Sequence, residues 1–281
     1  MESWFAALIS ASFIFSWISG DKLVALQGQC SSGGSHYMMT ASQNAISLTD
    51  AALAPFGRPE QGWQIYAPQV AATIGTTCAP NTKRFAAAMA RWQARHQLAA
   101  TGAVDAETLS ALKLRWQQAR PFIVEFVPGS CPPAASDEAL ADIHPAEGWL
   151  GKEGQLDSQA LAALRRMVAA ARADDPRIAA DRHMLTIVSA FRSPAYDAAR
   201  CAGGRCNGIA KARCSAHRTG TAVDLYVGAA PGHGPVDSSD TNRLYLSRTP
   251  AYRWLVANGR RFGFVNYVFE PWHWEWAGEP E

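Results

Sequence analysis

The stretch Ser215-Ala216-His217-Arg218-Thr219-Gly220-Thr221-Ala222-Val223-Asp224 constrains this chain more than any other. It sets a histidine and an aspartate seven positions apart, with a glycine between them and a β-rich run, Val223 to Val227, at its exit. Side chains alternate along a regular strand, so an odd separation puts His217 and Asp224 on opposite faces. The two face one point only if the chain bends between them, and Gly220 is the residue that permits the bend. Imidazole and carboxylate converging in this way suit a zinc ion. Two ligands are one short of a hydrolytic site, so a third has to come from elsewhere in the chain.

The C-terminal run Phe269-Glu270-Pro271-Trp272-His273-Trp274-Glu275-Trp276 supplies it. As a strand it puts Trp272, Trp274 and Trp276 on one face, and His273 and Glu275 on the other. Pro271 interrupts the ladder beside Glu270 and can turn that carboxylate towards His273. A hydrolytic zinc site needs three protein ligands, an open position for water, and a nearby carboxylate that is not a ligand. His217, Asp224 and His273 are the expected ligands of Zn2+, and Glu270 is the expected general base, taking a proton from water and passing it to the leaving amine. The competing reading of His273 is a half-buried side chain on an aromatic strand. Glu275 would revive a closed, purely structural site if it became a fourth ligand. The remaining histidines, His36, His96, His144, His183 and His233, have no partner pattern and read as structural or surface residues.

A net charge of +2 and the lack of a basic run give no argument for nucleic acid. The six cysteines, Cys30, Cys78, Cys131, Cys201, Cys206 and Cys214, fit up to three disulfides in an oxidising compartment, with about fifteen pairings open. Cys201, Cys206 and Cys214 lack a fourth soft ligand, so a disulfide pinning this insertion beside the cleft is expected rather than a metal site. Residues 1–20 are apolar and read as an atypical export signal or short anchor, although Glu2 stands where a basic residue is usual. A buried helix is the alternative there. Nothing further along is long and apolar enough to span a bilayer.

Cys30 to Asp50 is rich in Ser, Gly and Thr and reads as a loose lead-in. Ala67 to Gly75 is helical and stops at glycine. Asn81 is placed to cap a helix with Phe85, Met89, Trp92 and His96 at spacings of three to four. Asp105 can cap a third helix carrying Leu109, Leu112 and Trp116 on one face. Cys78 and Cys131 flank these helices and could staple them. Residues 119–148 hold Pro128-Gly129 and Pro132-Pro133 and read as an ordered connection or linker. Beyond it, Asp157 caps a helix to about Ala173, with Leu156 packing on Leu161 as a staple. Strands are expected over Met184–Phe191, Phe262–Phe269 and Pro271–Trp276, a surface loop between Gly228 and Ser239, and a helix from Thr249-Pro250 to Ala257. The fold class is therefore α+β: a small antiparallel sheet with helices over residues 149–281, preceded by a small three-helix domain over residues 62–118.

Two resemblances give these patterns a context. Arg91-Trp92-Gln93-Ala94-Arg95-His96-Gln97-Leu98, then Thr101-Gly102-Ala103-Val104-Asp105 and Thr108-Leu109, resembles the peptidoglycan-binding three-helix module found beside many cell-wall hydrolases. A generic helical spacer is the plainer alternative. Ser215 to Asp224 read as Ser-x-His-x-x-Gly-x-Ala-x-Asp, followed by Glu270-Pro271-Trp272-His273, resembles the VanY-type D-alanyl-D-alanine carboxypeptidases. These are related to endolysin L-alanyl-D-glutamate peptidases and to hedgehog domains. The resemblance covers about Trp149 to Ala277, and implies zinc on His217, Asp224 and His273 with Glu270 as base. It also implies that Arg192, in Ser189-Ala190-Phe191-Arg192-Ser193, holds a substrate carboxylate or the developing oxyanion, work that suits a guanidinium fork. A structural ion pair is the alternative role for Arg192. Ser215 is expected either to bind substrate or to shape the turn.

Two places depart from the family. Asp197 stands where a glutamine is frequent, and the segment from Phe264 to Glu270 is short; both are expected to border the cleft. The implied activity is D,D-carboxypeptidase action on peptidoglycan stem peptides, in the periplasm or secreted at the cell wall. A cell-wall endopeptidase and a non-catalytic zinc-stabilised wall-binding protein are the alternatives.

Overall fold

Two apolar cores divide the chain, and the segment that joins them meets the second half through Arg120 and Phe122, which bond Glu275. The computed structural model describes residues 30–125, 130–202, 206 and 214–280. The export-signal reading of residues 1–20 lies outside the described residues.

The first core gathers Trp63, Val70, Phe85, Met89, Trp92, Leu109, Leu112 and Trp116. Four helices enclose it: α1 (Met38–Asp50), α2 (Ala67–Ile74), α3 (Lys83–Arg95) and α4 (Ala106–Gln117). A two-stranded hairpin, β1 (Ala52–Leu53) with β2 (Glu60–Gln61), lies between α1 and α2. Helix α1 occupies the stretch expected to be a loose lead-in. Its outer face exposes Met38, Met39 and Ile46, so it lacks the apolar periodicity that marks a surface helix. It is held instead by Asn44, which is fully buried. Asn44 Nδ2 donates to the Gly102 carbonyl, and its Oδ1 accepts from the Val104 N–H, both at 2.9 Å. Trp92 fills the core while its neighbour Gln93 holds the same turn from the other side, accepting from Gly102 N–H at 2.8 Å and donating to the Ala103 carbonyl at 2.9 Å. Gly102 has φ +77°, and a Cβ there would meet the Ala86 carbonyl oxygen at 2.6 Å, which is why this turn requires glycine.

Asp105 caps α4 as expected, its Oδ1 accepting from Thr108 N–H at 2.8 Å. Thr82, not Asn81, caps α3, because it is the hydroxyl of Thr82 that reaches the Phe85 N–H. Helix α2 ends at Gly75, which is left-handed.

The second core is formed by a four-stranded antiparallel sheet and the helices over one of its faces, so the architecture is α+β. Between the cores lie α5 (Pro121–Val124) and β3 (Leu140–Asp142), the latter paired with β4 (Gln155–Asp157). Asp157 then caps α6 (Ser158–Asp174), accepting from Gln159 and Ala160 N–H groups at 3.0 Å each. Leu156 and Leu161 are both buried in the second core, in keeping with the expected staple. After the short α7 (Pro176–Ala180) come β5 (Ile187–Ser189), α8 (Pro194–Cys201), β6 (Ala222–Leu225), α9 (Asp240–Leu246), α10 (Pro250–Asn258), β7 (Phe264–Asn266) and β8 (His273–Trp276). The sheet order is β5-β6-β8-β7. Strand β5 is shorter than the expected Met184–Phe191, because Leu185 sits at φ +65° and breaks the extended run.

The disulfides are Cys30–Cys78, Cys131–Cys214 and Cys201–Cys206. A Cys78–Cys131 staple is therefore corrected. Cys78 ties the start of the described chain to the end of α2, and Cys131 crosses to the residue before Ser215. No helix among the described residues is long and apolar enough to cross a membrane.

Candidate metal centre

Three elements build the site. Strand β6 carries Asp224, strand β8 carries His273 directly opposite it in the ladder, and a short helical turn, Ala216–Thr219, carries His217. The turn is capped by Ser215, whose hydroxyl accepts from His217 N–H at 3.3 Å, and it closes at Gly220 with φ +75°. The bend expected from the odd His–Asp separation is thus a capped helical turn with a left-handed glycine exit. It is bolted down on both sides: Arg218 C=O accepts from Ala135 N–H at 2.9 Å, and Gly220 C=O from Asp157 N–H at 2.8 Å.

Donor atoms of His217, Asp224 and His273 converge within 4.8 Å of one another, and all three residues are buried. Asp224 Oδ1 lies 3.2 Å from His217 Nε2 and 3.0 Å from His273 Nδ1. Ligands at zinc distances in tetrahedral array stand about 3.3 Å apart, so the spacing and the donor chemistry both fit such an ion. The tautomer of His217 is also suitable. Its Nδ1 lies 2.8 Å from the Ala190 carbonyl, which can only accept, so Nδ1 carries the proton and Nε2 presents a lone pair to the site. His273 is arranged the other way round, with Nδ1 facing Asp224 and Nε2 facing Glu275 Oε1 at 3.2 Å. Glu275 is consequently behind the His273 ring and outside the converging group.

Charge is strongly organised here. Burial alone would raise the Asp224 carboxyl, but the two imidazoles hold it well below the usual range. Burial pushes His217 down, favouring the neutral, ligating form. Burial would also lower His273, yet its bonds to Asp224 and Glu275 raise it to about 9. Glu270 is pushed up by burial, partly countered by the neighbouring His273. The backbone places it: Glu270 N–H donates to Tyr267 C=O at 2.8 Å, and Glu270 C=O accepts from His273 N–H at 2.9 Å. This tight turn around Pro271 brings the carboxylate and the imidazole to the same end of β8.

Arg192 reaches the cluster. Its Nη2 lies 3.2 Å from Asp224 Oδ2 and 2.9 Å from Ser189 Oγ, and its Nη1 lies 3.4 Å from Ser215 Oγ. The guanidinium is paired with Asp224 and still about one-fifth exposed. Asp197, expected at the cleft border, is instead buried, with Oδ2 accepting from Ser215 N–H at 3.3 Å. It supports the turn from behind because its own position on the first turns of α8 points it inward.

The sequence points to Glu275 only as a possible fourth ligand, and to none of the groups that hold it. Its place on the same strand face as His273 was the available signal, whereas Arg120, its main partner, lies 155 positions away and carried none.

A buried His–Asp–His cluster on an antiparallel sheet, with a carboxylate at the adjoining turn, defines a site able to hold a metal ion. Residues 153–279 match the family model VanY, D-alanyl-D-alanine carboxypeptidase. The match supports a peptidoglycan-acting carboxypeptidase role for this part of the chain. No curated protein matches the chain.

Proposed function

We propose that the protein is a zinc-dependent peptidase that trims peptidoglycan stem peptides as a D,D-carboxypeptidase. The observation that carries this is the convergence of His217, Asp224 and His273, with the half-buried Glu270 at the adjoining turn. Zinc held by those three residues would supply Lewis acidity to the scissile carbonyl and acidify a water molecule. Glu270 takes the proton from that water and returns it to the leaving D-alanine amine, and a carboxyl raised by burial is better matched to this exchange than an ordinary one. Arg192 is anchored on Ser189, Ser215 and Asp224, and its part-exposed guanidinium is the group we assign to the substrate's terminal carboxylate or the developing oxyanion. Ser215 shapes the turn through its bond to His217 N–H.

The position of Glu275 opposes a non-catalytic reading: it lies on the far nitrogen of His273 and does not close the ligand set. Three disulfides and a wall-directed family fit a periplasmic or secreted location. The helical region over residues 62–118 is the part we assign to wall binding.

The test is release of D-alanine from a purified muropeptide by the zinc-loaded protein, followed by mass spectrometry. Release by the wild type and its loss in Glu270→Ala with zinc retained support the reading. An internal cut of the stem or cross-bridge would make the protein an endopeptidase, and intact zinc with no turnover would sink the enzymatic reading.

A further inference from the structure

The back of the metal centre is built by the N-terminal half of the chain. Arg120 follows α4 and precedes α5, and its side chain is buried against that of Glu275, which is 1% exposed. Arg120 Nε donates to Glu275 Oε1 at 2.8 Å, and Nη2 contacts the same oxygen. Phe122 N–H donates to the other oxygen, Oε2, at 3.0 Å. The same carboxylate faces His273 Nε2. The guanidinium also lies over the Tyr267 ring, 4.0 Å from its centroid, and Tyr267 meets the His273 ring edge-on at 5.9 Å. A buried ion pair is a poor way to gain stability, since desolvation offsets most of the attraction. Its chemistry is better explained by what it orients.

A second set of bonds from the same half reaches the turn that carries Glu270. Gln117, the last residue of α4, donates to Asn266 C=O at 3.2 Å and accepts from Val268 N–H at 3.3 Å. Asn266 Nδ2 in turn donates to the carbonyls of Glu270 and His273, at 3.2 and 2.9 Å. Tyr252, which lies 3.4 Å from Tyr66 of the helical half, donates to Asn266 Oδ1 at 3.1 Å.

Resting on the metal reading given above, we propose that Arg120 is a positioning residue of the peptidase site. It fixes Glu275, and Glu275 holds the His273 imidazole with Nδ1 turned to the metal position, so the N-terminal half is part of the catalytic apparatus as well as a wall-directed module. A carboxylate behind a ligating histidine fixes the ring and raises its basicity, and loss of such a partner typically weakens metal affinity about 10- to 100-fold.

The experiment uses the full chain and two variants, Arg120→Met and Glu275→Gln. The glutamine keeps the volume and one oxygen, which can still accept from Arg120, while its NH2 replaces the oxygen that accepts from Phe122 N–H, so it removes the charge without emptying the site. Zinc affinity is read by chelator competition, and the visible spectrum of the cobalt-loaded protein reports ligand geometry. Melting temperature and turnover are measured alongside. The expected result is a 10- to 100-fold weaker zinc affinity and a changed cobalt spectrum in Glu275→Gln, with kcat reduced and KM little altered. Arg120→Met should follow it. Wild-type affinity, spectrum and kcat in Glu275→Gln would overturn the proposal, whatever happens to the melting temperature; so would a folded Arg120→Met that behaves as wild type. If the wild type itself binds no zinc, the metal reading fails instead, and the two failures are distinct.

Discussion

Asp224 and His273 face each other across the β6–β8 ladder, and Asp224 Oδ1 stands 3.0 Å from His273 Nδ1. Antiparallel partners directly opposite each other share a sheet face and bring their Cβ atoms within about 5.5 Å. Register alone therefore delivers two of the three proposed ligands, and His217 is brought to them by a special turn.

Zinc should stabilise the folded chain, because the ligand set exists only when β6, β8 and the Ala216–Thr219 turn are assembled. With free metal about 1,000 times above Kd, linkage gives a gain of about 4 kcal/mol. The melting temperature should rise on adding zinc and fall with a chelator. Asp224→Asn should remove the response, since it deletes the charge on which both imidazoles and Arg192 converge. A metal-dependent shift of wild-type size in that variant would place the ion elsewhere.

Protons should compete with zinc through His273. In the metal-free protein its pKa is raised to about 9 by Asp224 and Glu275 despite burial, while that of His217 is lowered. His273 is thus protonated at pH 7 and must lose that proton to ligate. Affinity should fall about tenfold per pH unit on acidification from pH 9 towards neutrality. The sign for the metal-free fold is opposite: a histidine raised in the folded state contributes stability that is present below its ordinary value near 6.5 and lost as pH rises through about 9. Calorimetric titrations in buffers of different ionisation enthalpy measure the released proton, and a flat affinity between pH 7 and 9 contradicts the assignment.

Gly220→Ala should damage both fold and site. The residue is left-handed, and a Cβ there would stand 2.9 Å from Ala135 Cβ and 3.0 Å from Leu140 Cδ2. Left-handed strain and crowding together should cost more than about 1 kcal/mol. Because the turn carries His217, zinc affinity should fall together with the melting temperature. A variant that melts early but binds zinc as wild type would separate the turn's structural role from its role in ligation.

The parts of this site legible in the sequence are those whose chemistry is local. His217, Gly220 and Asp224 lie within one short motif, and Glu270 and His273 in another, so ligand type and spacing could be weighed directly. The caps at Asp105 and Asp157 were legible for the same reason, since a cap acts within three residues. Helix α1 was hidden because a buried asparagine, not an apolar stripe, holds it. Asp197 looked like a cleft residue by family position, and only its bond to Ser215 N–H shows that it faces inward. The support of Glu275 by Arg120 was hidden for a deeper reason: no periodicity links two residues that meet only after both halves have folded. The cysteine partners belong with these, because the pairing follows from where the chain returns and not from spacing.

Cys131–Cys214 joins residues 83 apart, whereas Cys201–Cys206 joins residues 5 apart. In the chain-entropy account, closing loops of these sizes in the unfolded state is worth about 4–5 and about 2 kcal/mol respectively. Cys131→Ser with Cys214→Ser should therefore lower the melting temperature more than Cys201→Ser with Cys206→Ser. The long-range bond also ends one residue before Ser215, which caps the turn bearing His217, and it tethers the segment whose Ala135 N–H bonds Arg218 C=O. Losing it should loosen that turn and weaken zinc binding, while losing the short bond should leave zinc affinity within about twofold, since that bond closes the far end of α8 from Asp197, the residue that contacts Ser215. Equal effects of the two double variants on melting and on zinc affinity would show that the crossing bond does not brace the metal centre.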